Sequence, residues 1–378
     1  MTTLKHLHIN TSLRRPLLQE HEGDGSSVAH GHSLPIKKTH THPRRPPGAQ
    51  DTNGEDGSVY FIGTATTVIE WSGMRILTDP NFLHAGDHVH LGPGVSAQRR
   101  TDPAVELAEL PPVDLVLLSH YHEDHFDREV ERRLSRDFPI VTTPHARRCL
   151  TDGKDGGAGD EGGSFREVHE LDFWESLIVH VEGGGATAAA TGHEGVVGAR
   201  EEGRKKKPVV KVTGMPGKHV PPGPLSVAND LLSAVPPTNG WMLELGYQQG
   251  DADKEDAAAE TGYRIYISGD TLFVDELKEI PRWLKDERID LMLVHLGGTT
   301  IPGPSMPLLM VTMDAAQGLQ LMQLLNPDLT IPIHYDDYSV FLSPLSDFKD
   351  KVSHEGWDDR VVYLDRGEIF KFHAKACY

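Results

Sequence analysis

The chain has 378 residues, with 37 Lys and Arg against 56 Asp and Glu, so its net charge is 37 − 56 = −19. That balance argues against a nucleic-acid partner, which is normally gripped by clustered Lys and Arg. Hydrophobic residues make up only 38% of the chain while Gly (38) and Pro (26) are abundant, so one sizeable core is expected together with long stretches of loop.

Residues 1–57 mix Pro, Gly, Ser, charge and seven histidines (His6, His8, His21, His30, His32, His40, His42) and read as a disordered tail. From residue 58 onward a single folded domain is expected. Val59 to Ile62, Thr67 to Trp71 and Arg75 to Thr78 are short β-branched runs broken by turns, the pattern of an antiparallel meander. Val113 to Ser119 is a continuous apolar run, as in a strand buried on both faces. A helix from Asp127 to Arg136 and a strand from Pro139 to Thr142 complete a β-α-β step.

Three segments read as loop insertions: 151–164, 183–208 and 248–261. Strands are expected at Val209 to Val212 and, as a hairpin pair, at Trp241 to Tyr247 and Tyr263 to Ile267. Further on, Asp275 to Asp286 and Thr312 to Leu325 read as helices; Ile289 to Val294, Thr330 to Ile333, Val361 to Leu364 and Ile369 to Phe372 read as strands. Strand–helix alternation in both halves implies two sheets packed together with helices outside, an α/β fold.

No run approaches the ~18 apolar residues that span a bilayer, and the N-terminus lacks the apolar core of a secretory signal, so no transmembrane segment is expected. Cys149 and Cys377 cannot build a disulfide framework and read as reduced thiols. A cytoplasmic protein is the expectation, with residues 1–19 as a weak mitochondrial presequence the lesser alternative. No pattern sets the oligomeric state.

The chemistry concentrates where the buried strand ends, in Ser119-His120-Tyr121-His122-Glu123-Asp124-His125. Three imidazoles and a carboxylate lie within six residues at the carboxyl end of an apolar strand, where α/β proteins place their sites. His120 and His122 point the same way on extended backbone; Asp124 and His125, past the bend, can turn to a second centre. Further ligands must stand on the same rim, and His219, Asp270 and His334 each follow a strand. His145, His169, His180 and His193 read as structural or exposed.

With those positions in view, the sequence resembles the metallo-β-lactamase-fold hydrolases, through HxHxDH at 120–125, a downstream His, a strand-end Gly-Asp and a final strand-end His. The resemblance covers residues 59 to about 372, and Leu77-Thr78-Asp79-Pro80 with Ile331-Pro332-Ile333-His334-Tyr335 look most like L-ascorbate-6-phosphate lactonases and N-acylphosphatidylethanolamine phospholipases D. It implies an αββα sandwich of two mixed β-sheets with outer helices. It also implies that His120, His122 and His219 hold one metal and Asp124, His125 and His334 another, with Asp270 bridging and Asp79 orienting a ligand histidine. Many relatives carry a His after the glycine at Gly63; this chain has Thr64. Thr64, Tyr121, His295 and Tyr335 are candidates for the substrate pocket.

An imidazole and carboxylate set without Cys suits Zn²⁺ and also accepts Mn²⁺ or Fe²⁺. The expected function is a dinuclear hydrolase in which a metal-bridging hydroxide attacks an ester, lactone or amide carbonyl, with Asp124 orienting it and taking its proton. A phosphodiesterase resembling phospholipase D is the alternative, and a non-catalytic metal sensor or scaffold the alternative of another class. The substrate is thus a small molecule or a lipid.

Overall fold

The computed structural model describes residues 4–19, 33–44, 55–92, 95–152, 163–183, 207–221, 223, 226, 229, 235–248, 259–303 and 306–374. Two sheets face each other. One has seven strands, in the order Lys5–Asn10, Ser176–Glu182, Lys207–Met215, Gly240–Gln248, Ala259–Ile267, Leu291–His295 and Leu329–Ile333. The other has eight, in the order Val168–Glu170, Ile140–Thr142, Leu115–Leu117, Met74–Thr78, Thr66–Trp71, Gly57–Gly63, Glu368–Phe372 and Lys38–His40. Both mix parallel and antiparallel pairs.

Alternation along the strands sorts side chains into layers. Val59 and Phe61 enter the core between the sheets with Trp71, Leu117, Trp241 and Leu293. Tyr60 and Ile62, one residue out of step, face Val130, Leu134, Ala146 and Leu150 on and beside the helices Arg128–Arg133 and Pro144–Asp152. On the far side Met242, Tyr266 and Met292 pack under Ile280, Leu321, Met322 and Phe348 of three further helices, Ile280–Leu284, Ala315–Leu325 and Leu345–His354. Where helices cover the outer face as well, the strands read as continuous apolar runs. The result is the expected αββα sandwich.

The N-terminal segment departs from expectation. It was read as disordered through residue 57, yet Lys5–Asn10 pairs parallel with Ser176–Glu182, and Lys38–His40 with Glu368–Phe372. The reason is the alternation Lys5-His6-Leu7-His8-Ile9, in which Leu7 and Ile9 enter the core at 7% exposure each. Histidine at the outward positions gives this strand the composition of a low-complexity tail. Residues 1–3, 20–32 and 45–54 lie outside the described residues. Replacing Ile9 by alanine should destabilise the protein by about 2–5 kcal/mol in a urea titration, as at other buried isoleucines; a disordered tail would show no change.

Of the three expected insertions, 153–162, 184–206 and 249–258 lie outside the described residues, and their expected edges run into strands at Lys207, Gln248 and Ala259. The Asp275–Asp286 helix splits into a 3₁₀ turn at Asp275–Glu279 and a short helix at Ile280–Leu284. Pro281 lacks the N–H that a continuous helix would require of it. Val361 makes one isolated bridge to Thr330 in place of a closing strand. No described helix is long and apolar enough to cross a membrane.

Asp127 begins the Arg128–Arg133 helix: its Oδ1 accepts the Val130 N–H at 2.8 Å and its Oδ2 the Phe82 N–H at 2.6 Å. Both donors are buried. Asp127→Ala should therefore cost about 2 kcal/mol, a lost cap plus an unsatisfied N–H, measurable by thermal unfolding.

Candidate metal centre

The candidate residues stand where strands run out on one rim. Asp79 follows Met74–Thr78, His120 follows Leu115–Leu117, His219 follows Lys207–Met215, Asp270 follows Ala259–Ile267 and His334 follows Leu329–Ile333. Main-chain bonds tie the two sheets together there: the Asn239 N–H donates to the Ser119 carbonyl at 3.1 Å and the His334 N–H to the Thr64 carbonyl at 2.7 Å. Gly269, before Asp270, has φ +60, and a Cβ on it would lie 2.2 Å from the Asn239 carbonyl oxygen. Only glycine fits that approach. Asp79 and His334 hold left-handed backbone at φ 36 and 59 without being glycine, a strain that persists because neighbouring bonds over-determine it.

The rings meet in pairs. His120 and His219 approach Nε2 to Nε2 at 3.1 Å, and His125 and His334 at 3.2 Å. His219 Nδ1 donates to the Val311 carbonyl at 2.9 Å and His334 Nδ1 to the Leu296 carbonyl at 3.0 Å. A carbonyl only accepts, so in the neutral ring the hydrogen sits on Nδ1 and Nε2 turns a lone pair inward. Two groups of ligand atoms result, His120–His219–Asp270 and Asp124–His125–Asp270–His334, each with its atoms within 4.8 Å of one another. Asp270 belongs to both. His122 joins His120 and Asp124 in a further group, its Nδ1 2.9 Å from Asp124 Oδ1.

Asp79, Asp124 and Asp270 are at most 2% exposed, and their ion-pair partners among the described residues are all histidines. Burial alone would push the Asp270 carboxyl up, but His334, His125 and His219 around it hold it well below the usual range. Asp124 behaves likewise beside His122 and His125. Burial works against charge on His125 too, and is outweighed by Asp270, Asp124 and Asp79, which raise it. His120 and His219 are driven down chiefly by burial, His219 to about 4. His122 Nδ1 and Asp124 Oδ1 face each other at 2.9 Å, while His122 Nε2 and Asp270 Oδ1 are buried without a hydrogen-bond partner among the described residues. Such atoms are costly unless something supplies the missing contact, and divalent cations among these N and O donors fit that need.

Asp79 is placed behind the centre. Its Oδ1 accepts the Ser119 N–H at 2.7 Å, and its Oδ2 faces His125 Nδ1 at 3.4 Å and His295 Nε2 at 3.7 Å. The four pocket candidates fare differently. Thr64 is wholly buried, its hydroxyl held by Arg99 and its N–H by Asp337 at 3.0 Å. His295 is equally buried, stacked on His125 at 5.9 Å. Tyr121 turns to Glu131 at 2.8 Å, and Tyr335 donates to the Leu364 carbonyl at 3.0 Å. Thr64, His295 and Tyr335 are buried, and Tyr121 is half-buried.

Several contributors carry no mark in the sequence. The Thr312 hydroxyl donates to Asp270 Oδ2 at 3.0 Å, and Ser119 Oγ lies 2.9 Å from His120 Nδ1. Val311 and Leu296 act through main-chain carbonyls, which side-chain identity does not reveal.

Residues 74–215 match the model of the β-lactamase superfamily domain, a span that holds His120 to His125 and stops before His219. A metal-dependent hydrolase of Archaeoglobus fulgidus is 29% identical over 315 residues, 83% of this chain and 99% of that protein. A mitochondrial N-acyl-phosphatidylethanolamine-hydrolyzing phospholipase D of Saccharomyces cerevisiae is 31% identical over 137 residues, 35% of this chain, and the match spans only about a quarter (26%) of that protein. In three dimensions the chain is similar to an isothiocyanate hydrolase from Delia radicum gut bacteria, with TM-score 0.59 and 16% identity over 84% of this chain and all of that one (100%). Residues 74–215 thus carry a β-lactamase superfamily domain match, and the chain has the αββα sandwich of the metallo-β-lactamase fold.

Proposed function

We propose that this chain is a hydrolase working through two divalent cations, with Zn²⁺ the first choice and Mn²⁺ or Fe²⁺ the alternatives. The observation that carries the reading is the position of Asp270, one carboxylate common to two groups of inward-facing imidazoles. His120, His122 and His219 would hold one ion, Asp124, His125 and His334 the other, and Asp270 both. Bound there, such ions supply Lewis acidity, lowering the pKa of water from about 15.7 towards about 7 and drawing electrons from the bond under attack.

The chain's own residues do the positioning. Val311 and Leu296 fix the ring tautomers of His219 and His334, and Ser119 holds the His120 ring, so that Nε2 faces inward without reorganisation. Asp79 holds His125 and His295 from behind. Asp124, kept ionised against burial by His122 and His125, is the group that accepts a proton from an attacking water. His122 is the ligand candidate with exposure, 15% of its side chain, and marks the side from which substrate enters.

The bond attacked is a carbonyl of an ester, lactone or amide, or a phosphodiester. One observation favours the second: a relative at 31% identity over 137 residues is named for hydrolysis of a phospholipid. A panel of homoserine lactone, a sugar-phosphate lactone, bis(p-nitrophenyl) phosphate and an N-acyl phospholipid, run with zinc-loaded protein, separates them. Turnover confined to the phosphate substrates assigns the phosphodiesterase, turnover confined to the lactones the carbonyl hydrolase, and no turnover of any favours the sensor or scaffold.

A further inference from the structure

A second gathering of imidazoles lies away from the rim, on the outward face of the edge strand Lys5–Asn10. Alternation sends Leu7 and Ile9 into the core and turns His6 and His8 outward. Parallel pairing with Ser176–Glu182 sets His8 opposite His180 and Asn10 opposite Glu182. The His180 ring stacks with both, its centroid 5.2 Å from that of His6 and 4.6 Å from that of His8. His6 Nδ1 lies 2.9 Å from His180 Nε2, and His8 Nδ1 3.1 Å from Glu182 Oε1.

Residues i and i+2 of a strand share a face, and the residue opposite them on the next strand stands within about 5 Å. A His-x-His pair with a third imidazole across the ladder therefore brings three nitrogens to one patch. A tetrahedral zinc with bonds of about 2.0–2.1 Å sets its nitrogens roughly 3.3 Å apart. The His6–His180 pair, at 2.9 Å, is already close to that spacing. His8, whose side chain is 51% exposed, joins by turning its ring off the stack, and Glu182 remains within reach as an oxygen donor.

We propose that His6, His8 and His180, with Glu182 beside them, form a second transition-metal site on the outer face of the seven-stranded sheet, for a borderline divalent ion such as Zn²⁺, Ni²⁺ or Cu²⁺. An ion there cross-links the edge strand to its neighbour, adding to the ladder and to the buried Leu7 and Ile9 that already hold the strand. The site shares no residue with the rim centre.

The test is equilibrium dialysis of the full chain against micromolar Ni²⁺, counting bound ions by atomic emission, beside the H6Q/H8Q double variant and the single variant His8→Asn. The wild type is expected to take up about one ion more per chain than H6Q/H8Q, and His8→Asn to bind that ion roughly tenfold or more weakly, as loss of one ligand from a three-imidazole site requires. The rim centre and the remaining histidines are the same in all three chains, so their occupancy cancels, and the difference is readable even if the rim holds no metal. Equal uptake by a folded H6Q/H8Q chain overturns the proposal. Should that variant fail to fold, His8→Asn decides alone, since its side chain is half in solvent; unchanged Ni²⁺ affinity then overturns it.

Discussion

Asp270→Ala is expected to empty the rim centre of metal and to lower hydrolysis by more than about 100-fold, the larger end of losses seen when even indirect supports of a metal site are removed. Asp270 stands in both groups of ligand atoms at once. Its Oδ2 faces His125 and His334 at 3.3 and 3.5 Å, while its Oδ1 has no partner among the described residues. Without it, neither set of imidazoles retains a carboxylate in common with the other. The same substitution should leave the metal-free chain folded, because His125 keeps Asp79 and Asp124, and His334 keeps Asp124, as partners. Metal analysis and thermal unfolding after chelation check the two halves: an Asp270→Ala protein that keeps its full metal content removes Asp270 from the centre.

Asp337→Ala is expected to be the most destabilising single change near the rim, at about 3–5 kcal/mol in urea unfolding, the cost of stranding a buried charge. Asp337 and Arg99 have no side-chain exposure (0%/0%) and sit 4.0 Å apart. Asp337 also accepts the Thr64 N–H at 3.0 Å and close hydrogen bonds from Thr101 and Arg366. Removing it leaves Arg99 charged and buried and the Thr64 N–H unpaired. Because the Thr64 carbonyl takes the His334 N–H, the loss should also weaken metal retention on the His334 side. A cost under about 1 kcal/mol would contradict this and mean that water replaces the pairing.

What could be read in advance divides along physical lines. His120, His122, Asp124 and His125 fall in one stretch, and Asp270 and His334 each end an apolar strand, so residue type and position together mark them. Tyr121 and Tyr335 flank those ligands in the chain, but neighbours in an extended segment point to opposite sides. Tyr121 accordingly faces Glu131, and Tyr335, after the left-handed turn at His334, reaches back to Leu364. Thr312 and the carbonyls of Val311 and Leu296 arrive from segments whose local pattern says nothing of metal. The Lys5–Asn10 strand was hidden for another reason: its two core residues are set among histidines, and only the partner strand Ser176–Glu182 makes their burial possible.

The central claim is that one carboxylate, Asp270, joins two cations on this rim. Anomalous X-ray scattering at the zinc edge, from crystals of zinc-loaded protein, tests it most directly. The account predicts two peaks on the rim, one beside His120 and His219 and one beside His125 and His334, both in contact with Asp270; a rim with no peak, or with ions that Asp270 does not touch, would contradict it.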